Sequence, residues 1–176
     1  KSKSGIYHIL MRGINRQNIF EDDEDYVRFI HTVDKYKHKS QYNIYAYCLM
    51  SNHVHLLLKE NQESLQQIMR RICGSYVYWY NRKYDRVGYL FQDRFRSEPV
   101  DDDEYLFTVI RYIHQNPLKA GLVRNMEQYR WSSYKEYIDN GTMVDTDFVL
   151  GMFSSDSQRA VRRFIQFNNE MNSDKC

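Results

Sequence analysis

The stretch Asn52-His53-Val54-His55-Leu56-Leu57-Leu58 holds the residue types best suited to chemistry. In a strand, residues two apart share a face, so His53 and His55 stand side by side while Val54, Leu56 and Leu58 turn the other way into a core. Two adjacent imidazoles on a rigid surface form half of a divalent-metal site and need a further ligand from another element. His-x-His arises by chance in many strands, so the pair carries weight only if something faces it. The surrounding run is too apolar for an ordinary exposed strand, and imidazole is an awkward neighbour for Leu and Val unless it has a partner.

A helix is expected from about Asp102 to Gln115, with Asp101 as its N-cap and Glu104 three residues on. Leu106, Val109, Ile110 and Ile113 form its apolar stripe. Tyr112 and Asn116, four apart, lie together along the edge of that stripe. Asn116 could lend a carbonyl oxygen to a metal and Tyr112 a phenol beside it. His114 points away from Tyr112 and reads as structural or superficial. Pro117 disfavours helix at Asn116, so the helix is expected to stop there. Spacing alone does not separate Tyr112 from the other tyrosines, of which the chain has 16 in all.

The elements that must position these groups follow from periodicity and turn chemistry. Gly5–Arg12 reads as a strand, 13–18 as a polar turn, and Glu21–Lys39 as a helix with acids in its first turn. Tyr42–Met50 and the histidine strand form a hairpin about Ser51-Asn52, Ser64–Tyr84 is a second helix ended by Gly88, and Tyr89–Val100 is extended. This order predicts an α+β fold: a ferredoxin-like, RRM-like βαββαβ antiparallel sheet with helices on one face, plus the tyrosine-bearing helix. Residues 1–140 are expected to form the functional domain. Residues 141–176 are expected to form a C-terminal appendage with a short helix near Arg159–Phe167.

At 176 residues with 42% hydrophobic content, the chain can bury one core, and wholesale disorder is excluded. No stretch approaches a membrane span, and no signal peptide is expected. Cys48, Cys73 and Cys176 form no CxxC pair or even framework, which points to reduced thiols in the cytoplasm. Net charge is only +2, but Arg70, Arg71, Arg82, Lys83, Arg86, Arg94 and Arg96 face only Asp85 and Asp93 between positions 70 and 96. Tyr76, Tyr78, Trp79, Tyr80, Tyr84, Tyr89, Phe91 and Phe95 interleave with them. Basic groups neutralise phosphates and rings stack on unpaired bases, so the segment reads either as a nucleic-acid surface or as a solvated helix face with core aromatics.

Four segments together resemble the single-tyrosine HUH transposases of the single-strand insertion-sequence type, most closely the REP-associated tyrosine transposases. They are Met11-Arg12-Gly13-Ile14-Asn15-Arg16-Gln17-Asn18-Ile19-Phe20, Met50 to Leu57 around the histidine pair, Leu90-Phe91-Gln92-Asp93-Arg94-Phe95, and Arg111 to Val123. The similarity spans about Tyr7 to Tyr137. It implies that His53, His55 and Asn116 hold a divalent metal, Mg2+ or Mn2+, and that Tyr112 is the nucleophile. It implies cleavage and rejoining of single-stranded, hairpin-containing DNA through a 5′-phosphotyrosine. Arg12, Arg16, Arg94 and Arg96 become candidates for backbone contacts to that DNA, and both a monomer and a homodimer fit the class. Insertion-sequence members often carry glutamine where this chain has Asn116, one methylene shorter, so the tyrosine helix must approach more closely or a water must intervene. The alternatives are a hairpin-binding regulator without chemistry, an RRM-like RNA module, and a hydrolytic metalloenzyme that would not need Tyr112.

Overall fold

A computed structural model describes residues 2–176; Lys1, where the polar opening stretch begins, lies outside the described residues. Four strands, β1 (Ile6–Arg12), β2 (Asn43–Met50), β3 (His53–Lys59) and β4 (Arg96–Pro99), form one antiparallel sheet in the order β2-β3-β1-β4. Helix α1 (Asp23–Ser40) links β1 to β2, and α2 (Leu65–Lys83) links β3 to β4. This is the expected βαββαβ arrangement.

Local chemistry sets the helix starts. Asp22 caps α1 in a reciprocal box, its side chain accepting from the Asp25 backbone while Asp25 accepts from the Asp22 backbone. Ser64 caps α2. Along the strands, Tyr7, Ile9 and Met11 of β1 share a face with Val54, Leu56 and Leu58 of β3, all buried. Helix α2 meets that face, with Cys73 Sγ 3.4 Å from Met11 Sδ. Burying each large aliphatic there stabilises the fold by about 1.5–3 kcal/mol. A one-residue slip of β3 would exchange that face for His53 and His55, so the apolar face fixes where the histidines point.

The opposite face carries His8, Leu10, Arg12, His53, His55 and Leu57. Helix α3 (Asp103–Lys119) packs over its β2–β3 side. The N-cap of α3 is Asp102, which accepts from the Tyr105 backbone at 2.8 Å, and not the expected Asp101. Asp101 instead binds the N-terminal segment, accepting from Ser2 Oγ and the Lys3 and Ser4 backbones. The helix also runs through Pro117 to Lys119 instead of ending at Asn116. Pro117 lies in the last turn, where its missing N–H removes one bond without ending the helix, and Asn116 still accepts the Ala120 N–H at 3.0 Å. Asn116 therefore keeps helical register with Tyr112.

The extended segment expected over 89–100 is shorter as sheet. Only Arg96–Pro99 pairs with β1 as a strand, while Gln92 N bonds Arg12 O at the end of β1 and Leu90 O accepts from Ile14 N in the turn after it. After α3 come α4 (Tyr134–Ile138), α5 (Thr146–Phe153) and α6 (Ser157–Asn169). Met143, Val144, Val149 and Phe164 join the same hydrophobic cluster as the sheet, and α6 packs on α3.

Candidate functional site

The histidine face of β3 and the inner side of α3 meet at one cleft. His53 and His55 have ring centroids 5.3 Å apart, and the Tyr112 ring lies edge-on to His55 at 5.5 Å. Asn116 Nδ2 sits 3.4 Å from His55 Nε2. The shorter asparagine thus reaches the histidine directly, because α3 lies close against the sheet. The structure brings His53, His55, Tyr112 and Asn116 together at this cleft.

Hydrogen bonds decide which ring nitrogens are free. Asn52 Oδ1 lies 2.7 Å from His53 Nδ1 and can only accept, so Nδ1 carries the proton and Nε2 keeps its lone pair. His55 Nδ1 lies 3.0 Å from His8 Nε2, leaving its Nε2 toward Asn116. His8, which lies within the strand expected over Gly5–Arg12 and was not among the expected site residues, also reaches this cleft through His55. Its signal was its place on the same alternating face, which becomes visible only with the β1–β3 register.

The electrostatics favour neutral imidazoles. Burial lowers His8 to about 4, the nearby Glu98 acting weakly the other way. Burial, with the adjacent His8, His53 and Arg12, holds His55 well below the ordinary histidine range. His53 is lowered too, chiefly by burial. Burial and the neighbouring Cys176 push the Tyr112 phenol above its ordinary value, while the Arg12 cation and the Asn116 amide pull it back. A cation in this cleft would act in the same sense as Arg12.

The donor set suits a divalent ion. Among the described residues, no three His, Cys, Asp or Glu side chains converge to hold a metal; beside the two histidines, the Asn116 amide is a further side chain that could lend an oxygen. Turning that amide about its last bond exchanges Nδ2 for Oδ1 at almost no steric cost. Two imidazoles and one oxygen leave coordination positions open to a substrate oxygen, and this mixed set suits manganese while remaining workable for magnesium.

Arg12, Arg94 and Arg96 are exposed and line one cleft with Leu10, Gln92 and Asp93. Arg12 pairs in register with His53, so this cleft opens beside the histidines. Arg16 stands apart on the turn Ile14–Arg16, where Gly13 threads so closely that a Cβ would meet the Gln17 carbonyl oxygen. The basic, aromatic segment divides. Tyr76 and Tyr80 are core, Arg71 pairs with Glu63, and Lys83 is held by Asp22, Glu24 and Asp25. Tyr78 and Tyr89 remain exposed at 65% and 84%. Much of that segment is therefore architecture; Arg94 and Arg96 lie with Arg12 beside the histidine face, while Arg70, Arg82 and Arg86, also without ion pairs among the described residues, stand on α2 and the turn after it.

A family model described as "Transposase IS200 like" matches residues 1–116. The chain belongs to the IS200-like transposase family. The matched span ends at Asn116 and so contains all four residues of the cleft. Among solved structures, this transposase is similar to a REP-associated tyrosine transposase bound to a REP hairpin. That likeness has 18% identity and a TM-score of 0.67, and covers 82% of this chain and 85% of the other. It is also similar, at 15% identity and a TM-score of 0.47, to a putative transposase from Deinococcus radiodurans, covering 57% of this chain and 82% of the other. No curated protein matches the sequence. The cysteines are free, and no helix among the described residues is long and apolar enough to cross a membrane.

Proposed function

We propose that this transposase cleaves and rejoins single-stranded, hairpin-containing DNA, with Tyr112 as nucleophile and His53, His55 and Asn116 as ligands of a divalent metal. One observation carries the reading: the Nε2 atoms of two neutral histidines, an amide and a phenol converge on one cleft beside three arginines. A bound Mg2+ or Mn2+ would supply positive charge to a non-bridging phosphate oxygen and to the transition state.

The chain's own residues perform the remainder. The Tyr112 oxygen bonds to phosphorus as the P–O3′ bond breaks; the phenol loses its proton and the leaving 3′ oxygen gains one. The products are a 5′-phosphotyrosine and a free 3′-hydroxyl. A 3′-hydroxyl attacking that phosphotyrosine reverses the step or joins a new end without a nucleotide cofactor. Arg12 stabilises the phenolate as it forms, since it already pulls the phenol's pKa down. Arg94 and Arg96, with Arg12, hold the strand's phosphates, and Arg16 holds DNA from the adjoining turn. Hairpin recognition is supported by the structural likeness to a transposase bound to a REP hairpin.

The test is incubation of the full chain with end-labelled hairpin DNA and Mn2+, followed by denaturing electrophoresis. A covalent DNA–protein adduct is expected, and Tyr112→Phe should abolish it while leaving hairpin binding intact. Binding without an adduct would instead support a regulator, and cleavage surviving Tyr112→Phe would support a hydrolase.

A further inference from the structure

Two neighbouring histidines aim Nε2 into the cleft, and each has its Nδ1 held by a different partner. For His53 the partner is Asn52, its sequence neighbour, at 2.7 Å. For His55 it is His8, on the adjacent strand, at 3.0 Å. In register, His8 pairs with Leu57 and His55 with Leu10, so the two imidazoles are diagonal neighbours on one face.

Their rings are 5.2 Å apart between centroids and only 21° from parallel. With the facing nitrogens 3.0 Å apart, no more than the two ring radii remains in that separation. The nitrogens therefore lie almost on the line between ring centres, an edge-to-edge hydrogen bond and not a face-to-face stack. One nitrogen must donate and the other accept. As a metal ligand His55 must present a lone pair on Nε2, so its proton sits on Nδ1, the nitrogen that faces His8 Nε2 at 3.0 Å.

We propose that His8 is a positioning residue, whose Nε2 accepts the Nδ1–H of His55 and so fixes the tautomer and ring plane that present His55 Nε2 to a divalent metal. The inference rests on the metal-site reading above. Both rings are almost fully buried, at 5% and 2% exposure, so neither is oriented by solvent. On β1, His8 occupies a face position between Ile6 and Leu10, where an aliphatic residue would pack without desolvating an imidazole. Outer partners of this kind set ligand orientation and basicity, and losing one typically weakens metal binding about 10–100-fold.

The experiment titrates Mn2+ into the full chain and reads free Mn2+ by electron paramagnetic resonance. Wild type is compared with His8→Leu, which removes the acceptor, and His8→Gln, whose side-chain oxygen can replace it. His53→Ala serves as the ligand control. His8→Leu should weaken Mn2+ binding about 10–100-fold, with His8→Gln recovering most of the loss. A folded His8→Leu that binds as wild type does, while His53→Ala binds poorly, overturns the role of His8 alone. Equal binding by wild type and His53→Ala overturns the metal reading and this inference with it. If His8→Leu does not fold, nitrogen-15 histidine spectra of the metal-free wild type decide. A proton on His55 Nδ1 with a coupling to His8 Nε2 is expected, and a proton on His55 Nε2 overturns the proposal.

Discussion

Two buried histidines lie on either side of α3, and they are satisfied in different ways. His114 projects from α3 away from the sheet cleft and is fully buried among Tyr134, Tyr137 and Phe164. Both of its nitrogens are closed by the protein, Nε2 to Ser133 Oγ at 2.7 Å and Nδ1 to Asn168 Oδ1 at 3.1 Å. His55 is buried almost as deeply, yet only its Nδ1 has a close partner, while its Nε2 meets Asn116 at a long 3.4 Å beside Tyr112. Burial therefore does not separate a histidine closed on both nitrogens from one that keeps a nitrogen toward a cleft. The distinction lies in whether the second nitrogen is left facing a cleft.

The sharpest way to break this comparison is to remove each imidazole in turn. His55→Ala or His53→Ala should reduce covalent adduct formation at least about 10³-fold, the scale expected when a principal source of transition-state charge stabilisation is lost. Urea unfolding of the same variants should change far less than that loss of activity. His114→Ala should do the reverse. It leaves Ser133 and Asn168 without a partner and opens a cavity, costing about 3 kcal/mol of stability, while the folded fraction retains its activity. A His114 variant that is stable but inactive would dissolve the distinction.

Much of this contrast was readable from residue spacing, because it is local. His53 and His55 alternate against Val54, Leu56 and Leu58 on one strand, and Tyr112 and Asn116 share one helix face. The part that was not readable depends on contacts between elements. His8 becomes a partner of His55 only through the β1–β3 register. His114 is structural because α6 brings Asn168 to it, and nothing in the spacing of α6 names α3 as its neighbour. Asp101 looked like a cap, but tertiary contacts with the N-terminal segment claim it. Pro117 looked like a stop, but a proline in a final turn removes only one bond.

Acid should sharpen the contrast by a smaller amount. Burial lowers His114 to about 4, the Asn168 hydrogen bond opposing it, so the unfolded chain, with an ordinary histidine near 6.5, takes up a proton first as pH falls. The stability tied to neutral His114 is present above pH 6.5 and is lost as pH drops from there toward 4. Between pH 6.5 and 5 this one group should remove roughly 1.5 kcal/mol. His8 and His55 are also depressed and contribute with the same sign. Thermal melts of wild type and His114→Gln across this range isolate the share of His114. Parallel curves would mean that His114 is not held neutral by its surroundings.

The smallest expected effect belongs to the open side of the cleft, where the arginines stand. Arg96 pairs in register with Leu10 on exposed β4 and has no ion-pair partner among the described residues. Its removal should leave folding untouched. If it contacts one phosphate, Arg96→Ala should weaken hairpin binding across sequences alike and reduce the slope of log affinity against log salt by about one. Arg12 lies one register step nearer, opposite His53, and its charge reaches both histidines and the phenol. Arg12→Gln should therefore lower the salt slope by the same amount and also slow adduct formation at saturating DNA, a loss that Arg96→Ala should not share. Equal cleavage rates for the two variants would reduce Arg12 to another phosphate contact and confine the chemistry to the residues that α3 and β3 bring together.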